Sequence, residues 1–136
     1  MSTPSPPDST PIPVSILSQG PHLIVSIHSA LDDEQLSRLQ RNLIDEVGRQ
    51  RSRGIVIDVG ALDVVDSFAT RTLADLAQMA RLRGAETVVV GIAPEVAMAM
   101  VRLSLQTRFL PTALSLEEGL ELLGRSTGSS ASRREP

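Results

Sequence analysis

Apolar and polar positions alternate with two distinct periods along the chain. Leu23, Val25 and Ile27 alternate with His22, Ile24 and Ser26, the period of a strand, and Val14 to Leu17 predicts another strand before the Gln19-Gly20-Pro21 turn. Leu36, Leu39, Leu43 and Val47 then follow at helical spacing up to Gly54. Asp32 is placed to cap that helix and Gln35 to complete a capping box. Ile55-Val56-Ile57, bounded by Gly54 and Gly60, is a continuous apolar run that suits a strand covered on both faces. A second helix is predicted from Ser67 to Arg83, with Ala69, Leu73, Leu76, Ala77 and Ala80 on its apolar stripe and a stop at Gly84. Thr87 to Ile92 reads as another buried strand, and Pro94 opens a third helix through about Leu103. Phe109 to Leu114 reads as a short edge strand despite Pro111, and Ser115 with Glu118 forms a capping box for a last helix to Leu123.

The predicted order is β-β-α-β-α-β-α-β-α. It makes an α/β fold, with a mixed but mostly parallel sheet, an opening β-hairpin and about four helices. The first 13 residues carry five Pro among Ser and Thr, a composition unable to bury enough apolar area to order itself. The run from Ser126 has no apolar period. The expectation is a flexible leader at 1–11, one folded domain at 12–125 and a flexible tail at 126–136.

Composition narrows the chemistry. The net charge of −3 argues against a nucleic-acid surface, which needs concentrated basic charge. The chain has no Lys among its 13 basic residues, so Schiff-base chemistry and a phosphate-loop lysine are excluded by inventory. It also has no Cys, and its two His stand six positions apart, which leaves no thiolate or histidine cluster for a metal. No apolar run approaches the ~18 residues of a membrane span and no secretory signal opens the chain, so a cytoplasmic protein is expected.

The segment with the most chemical potential is Asp58 to Phe68, which leaves a buried strand and enters a helix at the carboxyl end of the sheet, where ligands and partners of open α/β sheets gather. Ser67 at the helix start reads locally as an N-cap whose hydroxyl satisfies an orphan backbone N–H. Asp58, Asp63 and Asp66 lie close enough in sequence to suggest Mg²⁺, as in phosphoaspartate receivers, but a receiver also needs a lysine. A triad of Ser67, His28 and an Asp lacks the Gly-x-Ser-x-Gly elbow of a hydrolase.

Three motifs carry a family resemblance: Leu23-Ile24-Val25-Ser26-Ile27 leading to Leu31-Asp32-Asp33, then Val65-Asp66-Ser67-Phe68, and Gly91-Ile92-Ala93-Pro94-Glu95-Val96-Ala97. Together, over residues 12 to 124, the chain resembles the STAS family and, within it, the RsbS-type stressosome antagonists. The resemblance implies a protein without catalytic activity or cofactor, phosphorylated on Ser67 by an RsbT-type serine kinase that it otherwise holds. It further implies homo- and hetero-oligomers with an RsbR-type scaffold paralogue, and an RsbX-type phosphatase that resets the switch. Asp63, Asp66, Ser67, Phe68, Thr70 and Arg71 are the expected partner-binding residues, with Thr70 and Thr72 at most secondary phosphosites. Soluble anti-anti-sigma factors, the alternative, typically have Ser-Gly after Asp-Ser, where this chain has Phe68-Ala69. The scaffold paralogues differ by a large N-terminal sensor domain and commonly Thr at the phosphorylatable positions, whereas the third helix here carries Met98-Ala99-Met100.

Overall fold

The computed structural model describes residues 13–102 and 110–133. The expected leader, the far end of the third helix at Leu103, and Phe109 lie outside the described residues. Strand β1 (Val14–Gln19) pairs antiparallel with β2 (His22–Ile27), joined through Gly20 at φ +59. Helix α1 (Asp33–Gln50) leads to β3 (Gly54–Asp58), α2 (Ser67–Leu82) to β4 (Glu86–Val90), and α3 (Pro94–Arg102) towards β5 (Thr112–Ala113). Helix α4 (Leu116–Arg133) ends the described chain. The strands lie in the order β1-β2-β3-β4-β5, parallel from β2 onward. The predicted element order and the hairpin opening a mostly parallel sheet are therefore present.

Each central strand sends alternate side chains to opposite layers. Leu23, Val25, Ile55, Ile57 and Val89 pack with Leu39, Leu43, Leu73 and Leu76 of α1 and α2. Val56, Val88 and Val90 point the other way and meet Leu123 of α4. Covering both faces is why Ile55-Val56-Ile57 reads as an uninterrupted apolar run, and all three are fully buried. Gly119 lets α4 approach closely, since a Cβ there would stand 2.7 Å from Val90 Cγ1.

The capping box of α1 forms as the sequence predicts. Asp32 Oδ1 accepts from Gln35 N at 2.7 Å, and Gln35 Oε1 accepts from Asp32 N at 2.9 Å. The box expected for α4 is displaced by one residue: Ser115 Oγ accepts the Glu118 amide, but the Glu118 carboxylate takes the Leu114 amide instead of that of Ser115. That bond draws Leu114 out of the ladder, and β5 shrinks to Thr112 and Ala113 where an edge strand up to Leu114 was expected. β4 stops at Val90, short of the expected Ile92, because Gly91 turns at φ +82. Helix α4 runs on to Arg133, past the Leu123 at which its apolar stripe ends. Once a packed first half exists, each added residue contributes a hydrogen bond without a new nucleation cost.

Candidate functional site

Strand β3 delivers Asp58 to the carboxyl edge of the sheet, and the loop beyond it is tied down at several points. Asp58 Oδ1 accepts the Gly60 amide at 2.8 Å, an Asx turn that reverses the chain. Val59 N donates to Val90 O at 3.0 Å, and Leu62 N closes a turn onto Val59 O. Gly60 and Gly91 pass so closely that a Cβ on Gly91 would lie 3.1 Å from Gly60 Cα. Val65 is buried and packs with Val96 and Met100 beneath α3. The loop is therefore anchored at both ends, while Asp63 and Val64 between them face outward, Val64 at 70% exposure.

Asp66, not Ser67, caps α2. Its backbone is extended at φ −81 and ψ −179, and its Oδ1 accepts the Ala69 amide at 2.8 Å. The sequence places two good cap formers side by side, and the first of them takes the role. Ser67 thereby becomes the first helical residue, exposed, and no hydrogen bond engages its hydroxyl among the described residues. No acidic side chain occupies the first turn of α2, so apart from the Asp66 carboxylate the positive end of the helix dipole is uncompensated.

The remaining expected site residues separate into outward and inward groups. Arg71 is exposed on the turn after Ser67, and Phe68 is half-buried. Thr70 is turned inward: it is only 2% exposed, and its hydroxyl donates to Asp66 O at 2.9 Å. Thr72 is likewise buried, with its hydroxyl on Phe68 O at 2.8 Å. Asp58 is turned to Gly60 and Asp66 to Ala69, so these carboxylates serve the backbone, and among the described residues no group of three His, Cys, Asp or Glu side chains is placed to hold a metal ion. His28 Nε2 is 3.0 Å from Ser15 Oγ, a contact on the opening hairpin and not with Ser67.

A family model for the STAS domain matches residues 14–119. The chain belongs to the STAS family. Within it, the chain is similar to RsbS of Moorella thermoacetica, at 34% identity over 85% of this chain and 97% of that one, with a TM-score of 0.73. A chain from a structure of the molecular architecture of the stressosome, a signal integration and transduction hub, is 31% identical over 83% of this chain and 98% of its own, with a TM-score of 0.67. The RsbT co-antagonist protein RsbRA of Bacillus subtilis (strain 168) is 28% identical over 98 residues, which take in 72% of this chain and 36% of that relative; the chain spans about a third of its length.

The STAS match runs from β1 into α4 and encloses the whole Asp58–Phe68 loop. Sequence reasoning missed the apolar ground beside Ser67. A cavity of about 110 Å³ opens behind the loop, lined by Leu31, Leu36, Leu62, Val65 and Ala69 with exposed Val64 at its margin. The only sequence signal was the Val64-Val65 pair, in which one valine must point away from the core if the other points into it.

Proposed function

We propose that this STAS protein is a stressosome antagonist of the RsbS type. In this reading it holds an RsbT-type serine kinase on the face around Asp63, Val64, Asp66, Ser67, Phe68 and Arg71, and releases it once Ser67 is phosphorylated. It works in the cytoplasm beside an RsbR-type scaffold paralogue, without cofactor or catalysis of its own, and an RsbX-type phosphatase restores the unmodified state. The observation that carries this reading is the division of labour at α2: Asp66 caps the helix, so the exposed Ser67 hydroxyl can be modified without removing any hydrogen bond made among the described residues. A phosphate there adds about 1.5 to 2 negative charges where free helix amides accept an anion. The same charge beside Val64 and the carboxylates of Asp63 and Asp66 opposes an acidic or dry partner face, because desolvating it costs several kcal/mol.

The test is phosphopeptide mapping after incubation with the cognate kinase and ATP, with kinase affinity measured before and after. Stoichiometric phosphate on Ser67 and a weakened complex are expected; a Ser67→Ala protein that still takes up one phosphate overturns the reading. The alternative of a soluble anti-anti-sigma factor predicts a persistent monomer that binds an anti-sigma kinase. Sedimentation with a scaffold paralogue separates the two, and Phe68-Ala69 in place of Ser-Gly favours the stressosome type.

A further inference from the structure

At the edge of the sheet opposite Ser67, where α1 and α2 end and β3 and β4 begin, stand Arg49, Arg51, Arg53, Arg81 and Arg83. Arg49 is paired with Glu46, and Arg81 lies 3.7 Å from Glu86. Among the described residues no carboxylate is within ion-pair distance of Arg51, Arg53 or Arg83. These three line one open cleft of about 570 Å³, together with Gly48 and Ser52.

Arginines after a helix end are often only solvated charges that complement the helix dipole. Two observations go beyond that role. Arg51 holds a left-handed backbone at φ 52 and ψ 45, and among the described residues no other non-glycine has a positive φ. Glycine is the residue this C-terminal position usually takes, since it meets no steric penalty there. Arg83, for its part, lies across α1 at Gly48, where a Cβ would stand 2.1 Å from its Nη2 and 3.0 Å from its Cζ. A dipole role needs neither the strained backbone nor the cleared bed.

The backbone beneath these side chains is fixed. Arg53 N donates to Pro21 O at 2.7 Å and Arg53 O accepts from Glu86 N at 3.0 Å, while Arg83 N is bonded to Ala80 O and the buried Ser52 donates its amide to Val47 O. Three like charges are thus held in one concavity of a chain whose net charge is −3. An anion offering several oxygens relieves their repulsion and suits the planar donor fork of each guanidinium.

We propose that this cleft binds an oxyanion of the phosphate-monoester class, supplied either as a free phosphate or as a phosphorylated side chain of a polypeptide. The guanidiniums are exposed, so the affinity should be modest and fall as salt is raised.

The test uses the full chain and inorganic phosphate at low salt, followed by calorimetry and by NMR of the arginine side-chain N–H signals. Saturable one-to-one binding is expected, weakened by about tenfold or more in Arg53→Gln and Arg83→Gln and unchanged in Arg38→Gln, which alters an exposed pair with Glu34 on the first turns of α1. Two further variants separate binding from folding. Arg51→Gly should raise the unfolding midpoint while weakening phosphate binding, because it relieves the left-handed backbone and removes a donor. Gly48→Ala keeps every arginine but displaces the Arg83 side chain, so it too should weaken binding without lowering the midpoint. A phosphoserine peptide that binds more tightly than inorganic phosphate identifies a polypeptide source, and equal affinity identifies the free anion. Absence of saturable binding, or an equal loss in Arg38→Gln, overturns the proposal.

Discussion

Asp66 and Ser67 divide the start of α2 between them: the Asp66 carboxylate takes the Ala69 amide at 2.8 Å, and the Ser67 hydroxyl one residue on is exposed and bonded to no other group among the described residues. Stability and modification therefore rest on different side chains. The two can be perturbed separately.

Asp66→Ala should destabilise the domain by about 1 kcal/mol, the ordinary value of an N-cap, whereas Asp66→Asn should cost less because an amide oxygen still accepts from Ala69 N. Urea unfolding of the two variants against the parent measures this. An Asp66→Ala midpoint equal to that of the parent would mean that Ser67 can take over the cap.

Ser67→Asp should leave the domain folded and raise its stability by about 0.3 to 1 kcal/mol at low salt, because an acid in the first turn of α2 meets a dipole with no other first-turn acid. Thermal unfolding of the parent and the variant compares them directly. In the same protein Thr70 and Thr72 should remain unmodified while the fold persists, since both hydroxyls are buried and donate to Asp66 O and Phe68 O. Phosphate on either threonine in native protein would show that α2 opens during the reaction.

The parts of this architecture that were legible in the sequence are those whose physics is local. Asp32 and Gln35 satisfy each other across one turn, so their spacing suffices to announce the helix. The apolar run of β3 follows from having helices on both faces of the sheet. Readings failed where a residue had two satisfactory partners. Ser67 and Asp66 are both good caps, and only the loop geometry decides between them. Thr70 looks polar enough for a surface, yet a threonine within a helix can return its hydroxyl to the carbonyl four residues back and be buried at little cost. Glu118 could have served Ser115 or Leu114, and its choice shortened β5. The arginine cleft was invisible for a different reason: Gly48 and Arg83 are brought together only by the packing of α1 on α2.

Gly119→Ala should destabilise the domain by about 1 to 3 kcal/mol, the usual cost of overfilling a packed contact, even though alanine is the better helix former. The added methyl would stand 2.7 Å from Val90 Cγ1, with Val88 and Val56 close behind, so α4 must lift from the sheet. Denaturant unfolding gives the value. A neutral or stabilising result would mean that α4 is more loosely seated than the contact distances imply.

The domain should also lose stability on mild acidification through His22. Its Nε2 is buried with no hydrogen-bond partner among the described residues, and its ring lies where a Cβ on Gly54 would meet it at 2.8 Å, next to Leu123. Burial disfavours the charged imidazolium and pushes the His22 pKa below its ordinary value of 6.5. The unfolded chain then binds a proton more readily than the folded one, so stability must rise with pH across this interval. The contribution of neutral His22 is fully present above the unfolded pKa and is lost as the pH falls from there towards the lower folded value. The measurement is the unfolding free energy between about pH 7.5 and pH 5.5, a range above the main carboxylate titrations. His22→Leu removes the titrating ring and should flatten the profile. Parent and variant profiles that run parallel throughout would show that His22 takes up its proton in the folded domain at no cost, and that the unpartnered nitrogen has an escape route to water.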